Sequence, residues 1–311
     1  MLKKLARLMT TLVIAALLCG AGALWWLAGQ FVSPERAPSV QLPQNFPYTV
    51  SEVDLVDGTT PTLIVEPLAG RKSPRADLLQ GQVRKMGGEP LTAEGEKLLV
   101  LLHGRMGRKE YLLRVAERYC ALGFICVIPD LPAHGESTFA TNGFGVAEHE
   151  RGLVATVADE VMQHLGRELP VSLWGMSMGG SFAMQAAADD PEKWEGIVLV
   201  STFDSLESLL DEKLDNRVYS TLAKPFVRFR GRFDISDADS IQAAAKIKAP
   251  VFLVHGDADK LISIKRAEGL YNSLKVQKDF MTVEGGTHQN VLITDAPVYA
   301  RTGLWLLKGG R

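Results

Sequence analysis

The sequence predicts an α/β fold with a mainly parallel sheet that helices cover on both faces. Short apolar runs rich in β-branched residues alternate along the chain with longer segments of helical spacing. The short runs are apolar throughout rather than at every second residue, which is typical of strands buried on both faces. The composition, 46% hydrophobic and 23% charged, is that of a globular domain with a substantial core.

The elements follow one another in a regular order. Strands are predicted over Tyr48–Leu55, Pro61–Glu66, Leu98–Leu102, Phe124–Ile128, Val171–Trp174, Gly196–Val200, Val251–His255 and Phe280–Val283. Helices are predicted over Glu110–Leu122, Glu148–Glu168, Ser177–Ala188, Ile264–Leu274 and Val291–Leu307. Strands joined through helices in this way imply right-handed βαβ crossovers and a doubly wound parallel sheet.

Residues 1–32 form a separate N-terminal segment. Lys3, Lys4 and Arg7 precede a stretch without charge from Leu8 to Pro34. About 20 apolar residues at ~1.5 Å each span the ~30 Å hydrocarbon core of a bilayer, so one transmembrane helix is predicted. The preceding positive charge favours a cytoplasmic N-terminus with the domain outside the cytoplasm. In a bacterial-type cell this predicts an anchor in the inner membrane and a domain that faces the periplasm or the cell exterior.

Two other interpretations of this segment stay open. The small residues 21–23 (Ala-Gly-Ala) resemble a signal-peptide cleavage site, and cleavage there predicts a secreted protein. Such cleavage would leave an exposed apolar end that includes Trp25 and Trp26, which favours the uncleaved anchor. A buried helix is the third interpretation.

The remaining chain, residues 38–311, is predicted to be one α/β domain with two departures from the regular alternation. Residues 70–97 form a polar insertion that precedes a strand, so we expect it at the sheet edge away from the chemistry. Residues 203–240 follow a strand and carry apolar residues at helical spacing, which predicts a small lid over the substrate pocket. A surface excursion without substrate contact is the alternative for this second segment.

Charge and cysteine content restrict the class of function. Without the three basic residues of the N-terminal segment, 31 basic residues stand against 36 acidic ones, a net charge of −5. Nucleic-acid binding needs a basic surface, so this class is excluded. Cys120 and Cys126 are the only cysteines outside the N-terminal segment. We expect them to be buried thiols, with a disulfide between them as the alternative if the domain is exported, and two cysteines do not make a disulfide framework.

The predicted nucleophile is Ser177. It lies in a G-x-S-x-G sequence, Gly175–Gly179, directly between a predicted strand and a predicted helix. This is the context of a nucleophile elbow, a tight turn that lifts the serine hydroxyl above the sheet. The position at a helix N-terminus favours negative charge on the serine oxygen.

A serine hydroxyl needs a base, and the base needs an acid that orients it. His288 follows the last predicted strand, so it lies on a loop at the carboxyl edge of the sheet and is the predicted base. Asp259 follows the strand Val251–His255 and is the preferred acid. Asp257 on the same loop and Asp204 after the preceding strand remain alternatives.

The oxyanion formed by attack on a carbonyl requires preorganised donors. The N–H of Met178, next to the nucleophile, is the first candidate. The N–H of Arg105, on the loop after Leu98–Leu102, is the second. The side chains of Arg105, Arg108 and Lys109 make this loop locally basic, which favours either an anionic substrate or simple solvation of the charges.

The motifs together resemble those of α/β-hydrolase superfamily enzymes, in particular the serine aminopeptidase-like and monoacylglycerol-lipase-like branch. The residues that carry the resemblance occur in order as His103-Gly104-x-x-Gly107, Asp130–Ser137, the Ser177 turn, Gly256-x-x-Asp259 and Gly286-Thr287-His288. The resemblance implies an α/β-hydrolase fold over roughly Leu98–Leu307 and a structural role for Asp130–Ser137. Arg105 departs from the apolar residue that this branch often has, so the polarity of the acyl pocket does not follow from the resemblance.

The predicted function is hydrolysis of a carboxylic ester through an acyl-enzyme, with a small-molecule ester or acyl compound as substrate. Amide or peptide cleavage and acyl transfer use the same residues and remain alternatives. A catalytically silent, membrane-anchored binding module is the alternative from another class. No metal or organic cofactor is required by this chemistry, and the sequence does not determine the oligomeric state.

Overall fold

The computed structural model describes residues 2–43, 45–68, 74–91, 95–214, 217–293 and 297–310, with the side chains of residues 2, 74, 214 and 217–220 left aside. Its centre is an eight-stranded sheet. The strands are β1 Thr49–Leu55, β2 Thr60–Glu66, β3 Lys97–Leu102, β4 Phe124–Pro129, β5 Val171–Met176, β6 Trp194–Val200, β7 Val251–Gly256 and β8 Lys278–Val283. Each predicted strand is therefore present, with small differences at the ends.

The order of strands across the sheet is β1-β2-β4-β3-β5-β6-β7-β8. β1 and β2 form an antiparallel hairpin, β2 pairs antiparallel with β4, and every pairing from β4 to β8 is parallel. The carboxyl ends of β3, β5, β7 and β8 therefore meet at one edge of the sheet. Loops that leave this edge carry all of the predicted site residues.

Helices cover both faces of the sheet, as the sequence predicts. They are α1 Leu2–Val32, α2 Pro74–Lys85, α3 Leu113–Cys120, α4 Leu153–Leu165, α5 Met178–Asp189, α6 Leu206–Leu214, α7 Arg217–Gly231, α8 Ser240–Ala244, α9 Ile264–Ser273 and α10 Val298–Leu307. The doubly wound α/β fold predicted from the alternation is confirmed.

The core consists of two apolar clusters, one on each face of the sheet. In β3, Leu98, Val100 and Leu102 belong to one cluster, while Leu99 and Leu101 belong to the other. Since successive side chains of a strand point to opposite faces, both faces must be covered, and this explains the continuous apolar runs. The thiols of Cys120 and Cys126 are free and lie buried in the second cluster, as expected.

Three segments differ from the predicted elements. The helix expected from Glu148 begins at Leu153, because Gly152 takes a left-handed conformation with φ of 73° that cannot continue a right-handed helix. The last helix begins at Val298, directly after a proline. The insertion 70–97 contains α2, whose Gln80 donates to the Ala121 carbonyl at 2.7 Å; residues 70–73 and 92–94 of the insertion lie outside the described residues.

Helix α1 is long and apolar enough to cross a membrane. Its candidate span, Lys3–Val32, has a mean hydropathy of 2.0, and none of the most apolar window is buried in the protein. The C-terminal end of the helix behaves differently, because Ala28 and Val32 are buried in the core. The helix therefore projects from the domain and is anchored to it by its last turns.

Candidate active site

Ser177 lies in a strained turn between β5 and α5. Its backbone has φ of 54° and ψ of −118°, a left-handed conformation that non-glycine residues rarely adopt. A Cβ on Gly175 would lie 2.3 Å from the Gly179 carbonyl oxygen, and one on Gly179 would lie 2.0 Å from the Leu102 carbonyl oxygen. Both glycines of the motif are therefore required by close backbone packing.

The turn is held by hydrogen bonds on both sides. The Ser177 N–H donates to the carbonyl of Val200 at 2.9 Å, and the Gly180 N–H donates to the carbonyl of Ser177 at 2.9 Å. The buried hydroxyl of Thr202 also donates to the Ser177 carbonyl, at 2.9 Å. Sequence reasoning missed Thr202, because its role depends on the neighbouring strand β6.

His288 and Asp259 form a hydrogen-bonded pair. His288 Nδ1 lies 2.8 Å from Asp259 Oδ2, and the Asp259 carboxylate is fully buried. The other carboxylate oxygen accepts the backbone N–H groups of Leu261 and Ile262 at 2.8 and 2.9 Å. Burial alone would raise the pKa of Asp259, but the His288 ring and these N–H groups outweigh it and hold the pKa below its ordinary value.

The two loops that carry this pair are packed tightly together. A Cβ on Gly256 would lie 2.0 Å from the Gly286 carbonyl oxygen, and the Ala258 N–H donates to the same oxygen at 3.0 Å. The close contact fixes the position of Asp259 relative to His288. Only glycine at both positions allows the backbones to approach this far.

The alternative acids have other partners. Asp257 accepts the N–H of Gly285 at 2.7 Å and so stabilises the loop that precedes His288. Asp204 accepts the N–H of Ser205 at 2.7 Å and lies 3.4 Å from the Arg266 guanidinium. Among the three candidate acids, the structure brings Asp259 into hydrogen-bond contact with His288.

Ser177 and His288 lie at the same sheet edge without a hydrogen bond between them. β5 and β8 are separated by two strands, a distance of ~14 Å at ~4.8 Å per strand. The loops after β7 and β8 must cover that distance for the base to reach the nucleophile. In this conformation the described residues include no hydrogen bond from the Ser177 hydroxyl to His288, and such contacts often tighten only when substrate binds.

The loop after β3 lies directly beside the nucleophile. A Cβ on Gly104 would lie 3.3 Å from Ser177 Cβ and 3.9 Å from its Oγ. The loop is a turn closed by the Gly107 N–H, which donates to the Gly104 carbonyl at 3.0 Å, so the Arg105 amide is a central amide of the turn. Met178 opens α5, and its N–H has no partner within the helix. Of the two residues predicted to donate to the oxyanion, Met178 therefore follows Ser177 directly and Arg105 follows Gly104, which lies against Ser177.

The Arg105 side chain contacts the end of α1. Its Nη2 donates to the Gln30 carbonyl at 2.6 Å, and its guanidinium carbon lies 5.9 Å from the centroid of the Phe31 ring. No local pattern in the sequence indicates this contact, since 75 residues separate the partners. The arginine joins the N-terminal helix to the loop beside the nucleophile.

The other two basic residues of this loop are buried, which contradicts both interpretations given above. Lys109 is fully buried, with its ammonium 3.0 Å from Asp130 and 3.0 Å from Glu52. Burial alone would lower the pKa of Lys109, but carboxylates, led by that of Glu136, outweigh this and raise it. Arg108 donates to Glu110 at 2.8 Å. These charges hold the Asp130–Ser137 segment in place through ion pairs with Asp130 and Glu136.

Three buried histidines near the site, His103, His134 and His255, have hydrogen-bond partners in the backbone. In His103, Nε2 accepts the Leu131 N–H at 3.1 Å and Nδ1 lies 2.9 Å from the Gly104 carbonyl, and burial lowers the pKa to about 4. Burial likewise lowers the pKa of His134 to about 3. His255 Nε2 lies 2.9 Å from the Ile262 carbonyl and supports the Asp259 loop. No cluster of three potential metal ligands occurs among the described residues.

Parts of the chain match known proteins in sequence. Residues 97–233 match a family model described as the α/β hydrolase fold. Over 108 residues the chain is 33% identical to Lipase 3 of Moraxella sp. (strain TA144). That match covers 35% of this chain and 32% of the lipase, so the chain matches about a third of that protein's length.

Solved structures resemble the chain over most of its length. The esterase Pf2001 of Pyrococcus furiosus superposes with a TM-score of 0.63 and 17% identity, over 89% of this chain and 99% of the esterase. A monoacylglycerol lipase of Paleococcus ferrophilus superposes with a TM-score of 0.52 and 21% identity, over 69% and 96% of the two chains. An acylaminoacyl peptidase of Pyrococcus horikoshii superposes with a TM-score of 0.57 and 13% identity, over 84% of this chain and 41% of the peptidase. Each of these structures is at most 21% identical to the chain, and together they show its fold, the one that the motifs predicted.

Proposed function

The chain has the α/β-hydrolase fold, and on that premise we propose that it is a serine hydrolase that cleaves carboxylic esters through an acyl-enzyme. Ser177 is the nucleophile, His288 the general base and Asp259 the acid that orients it. The relatives named above are esterases, lipases and a peptidase, which supports hydrolysis as the class of reaction.

In this mechanism Ser177 Oγ attacks the ester carbonyl while His288 Nε2 takes the hydroxyl proton. Asp259 holds the other ring nitrogen at 2.8 Å, which selects the tautomer with a free Nε2 and stabilises the imidazolium that forms. His288 then gives the proton to the leaving alcohol. A water molecule, deprotonated by the same ring, releases the acid and restores Ser177.

The negative charge on the carbonyl oxygen is stabilised by the N–H groups of Met178 and Arg105. Both belong to rigid backbone beside Ser177, one in the first turn of α5 and one in the turn that Gly107 closes. Donors fixed before the reaction need no reorganisation as the charge develops. Each is worth ~10²–10³ in rate in comparable enzymes.

The observation that carries the proposal is the Asp259–His288 hydrogen bond at the sheet edge to which the strained turn brings Ser177. A buried carboxylate bound to a partly exposed imidazole is the arrangement that a general base needs. The same residues serve amide or peptide cleavage and acyl transfer. Esters are proposed because an alcohol is a better leaving group than an amine, so ester cleavage needs less assistance from the enzyme. A silent binding module would not need this pair.

The proposal is tested with the full-length protein, a fluorophosphonate probe and p-nitrophenyl esters of graded acyl length. We expect the probe to label the protein at Ser177, and Ser177→Ala to abolish both labelling and turnover. His288→Ala should reduce both by ~10³ or more. His164→Ala, on the surface of α4, serves as the matched histidine control. A folded protein that neither labels nor turns over any ester would favour the silent module.

We further propose that α1 is an uncleaved membrane anchor with the catalytic domain outside the cytoplasm. Its length, its hydropathy and its projection from the domain support this function. Lys3, Lys4 and Arg7 at its start favour a cytoplasmic N-terminus. The mass of the membrane-extracted protein checks the proposal, since an intact chain has 33.9 kDa and cleavage near Ala23 would remove the anchor.

A further inference from the structure

Helix α7, in the predicted lid, packs against the membrane-proximal end of α1. The rings of Trp25 and Phe229 lie 5.7 Å apart, and the Arg230 guanidinium lies 4.8 Å above the Trp25 ring. Arg230 also donates to the Trp25 carbonyl at 3.2 Å. A Cβ on Gly231 would lie 3.0 Å from Val32. The lid helix and the anchor are therefore one packed unit.

This unit exposes an apolar surface to solvent. On α7, Leu222 is 50% exposed and Phe229 is 74% exposed. They are seven residues apart, two helical turns, and so lie on the same side of the helix. On α1, Trp26 is 61% exposed and Leu27 is 50% exposed. An apolar surface of this kind on a soluble protein marks a site of interaction.

The level of a bilayer along α1 follows from its sequence. The stretch from Leu8 to Trp26 is ~28 Å long at ~1.5 Å per residue, which matches a hydrocarbon core of ~30 Å. Trp25 and Trp26 then lie at the interface, where such rings are favoured. Phe229 contacts Trp25 and so lies at that same level.

Only a few residues link the nucleophile to this end of α1. Gln30 and Phe31, which the Arg105 side chain contacts, are only ~6 Å along the helix beyond Trp26. Arg105 in turn follows Gly104, whose backbone lies against Ser177. The path from the interface to the nucleophile therefore passes through one turn of helix and one loop.

We propose that Leu222 and Phe229 of α7 form a second membrane contact beside the anchor, and that the site thereby takes long-chain acyl esters from the bilayer in which α1 is inserted. This inference rests on the proposed esterase function and on the proposed anchor. The occupant of the apolar surface is lipid, because the surface continues directly from the helix that enters the bilayer. Two contacts hold the domain in one orientation, with Ser177 near the headgroups.

The contact is tested first without any activity measurement. The full-length chain with Cys19→Ser carries a nitroxide at Phe229→Cys or Leu222→Cys and is placed in phospholipid nanodiscs; the remaining cysteines are buried. We expect both nitroxides to collide with oxygen more than with a water-soluble nickel complex. A nitroxide at Leu78→Cys, 64% exposed on α2, should show the reverse. The proposal would be overturned if the nickel complex reached the nitroxide at Phe229→Cys as readily as the one at Leu78→Cys. Exclusion of both oxygen and the nickel complex from the Phe229→Cys nitroxide would also overturn it, because a protein surface rather than lipid would then cover the residue.

Activity then tests the substrate class. We compare a water-soluble p-nitrophenyl acetate with a long-chain monoacyl ester embedded in the same nanodisc. The double variant Leu222→Ser, Phe229→Ser should lose about tenfold or more in kcat/KM on the embedded ester and less than twofold on the soluble ester. Leu78→Ser should change neither. Equal loss on both esters would refute the membrane contact, whereas a wild-type protein inactive on both would refute the esterase function alone.

Discussion

The role of Asp259 gives the sharpest quantitative test of the site. Its buried carboxylate lies 2.8 Å from His288 Nδ1 and carries its charge at neutral pH, since its pKa is held below the ordinary value. At an effective dielectric constant of ~20, two unit charges ~4 Å apart interact by ~4 kcal/mol. Asp259→Asn removes this attraction for the imidazolium formed during the reaction. We therefore expect kcat to fall by about 10³.

The measurement is kcat and KM for a p-nitrophenyl ester across pH, with the full-length protein. Asp257→Asn is the matched control, because Asp257 lies on the same loop and accepts only the Gly285 N–H among the contacts described for it. It should stay within about threefold of wild type. Fluorophosphonate labelling of Ser177 should slow in Asp259→Asn by a similar factor. The reasoning is refuted if Asp259→Asn keeps more than a tenth of the activity, or if Asp257→Asn loses as much.

Three further predictions concern stability. His103 is neutral in the folded protein, because burial lowers its pKa from 6.5 to about 4. As pH falls from about 6.5 to about 4, the unfolded chain takes up a proton that the folded chain does not, so the free energy of unfolding should fall by about 3 kcal/mol. Urea titrations across this pH range should show a smaller fall for His103→Gln than for the wild type. Gly179→Ala places a Cβ 2.0 Å from the Leu102 carbonyl and should lower Tm by ten degrees or more or prevent folding, whereas Gly81→Ala, in open space within α2, should leave Tm equal or raise it. A chain that begins at Pro38 lacks the buried Val32 and the hydrogen bonds from Arg36 to the carbonyls of Gly135 and Ser137, at 2.9 and 2.6 Å. It should be less stable by ~2 kcal/mol or more than a chain that begins at Leu24. Equal thermal unfolding of the two chains would show that residues 24–37 add nothing to stability.

Local patterns in the sequence were sufficient for the fold and for the loops that carry the site. The apolar runs from Leu98–Leu102 to Phe280–Val283 fixed the strands, because a strand buried on both faces must be apolar throughout. Parallel pairing then puts the carboxyl ends of the strands at one edge. For this reason the loops of Ser177, Asp259 and His288 could be assigned to one place before any contact was known.

The boundaries of some helices did not follow from these patterns. The segment from Glu148 has helical periodicity, yet Gly152 in a left-handed conformation delays α4 to Leu153. Periodicity records which face is apolar, whereas the exact first residue depends on the backbone conformation of the preceding loop.

The hydrogen bond between Asp259 and His288, the burial of Arg108 and Lys109, and the contact of helix α1 with Arg105 all depend on tertiary structure. Asp257 and Asp259 are two residues apart, and only the packing of their loop against Gly286 brings one of them to His288. The sequence around Lys109 is typical of a surface loop, whereas in the structure its ammonium is buried beside Asp130 and Glu52. The sequence by itself determined which residue types recur at which spacing, and hence the sheet and the edge at which the candidate site residues lie. Contacts between residues far apart in the chain carry no local periodicity, so only the folded structure could decide them.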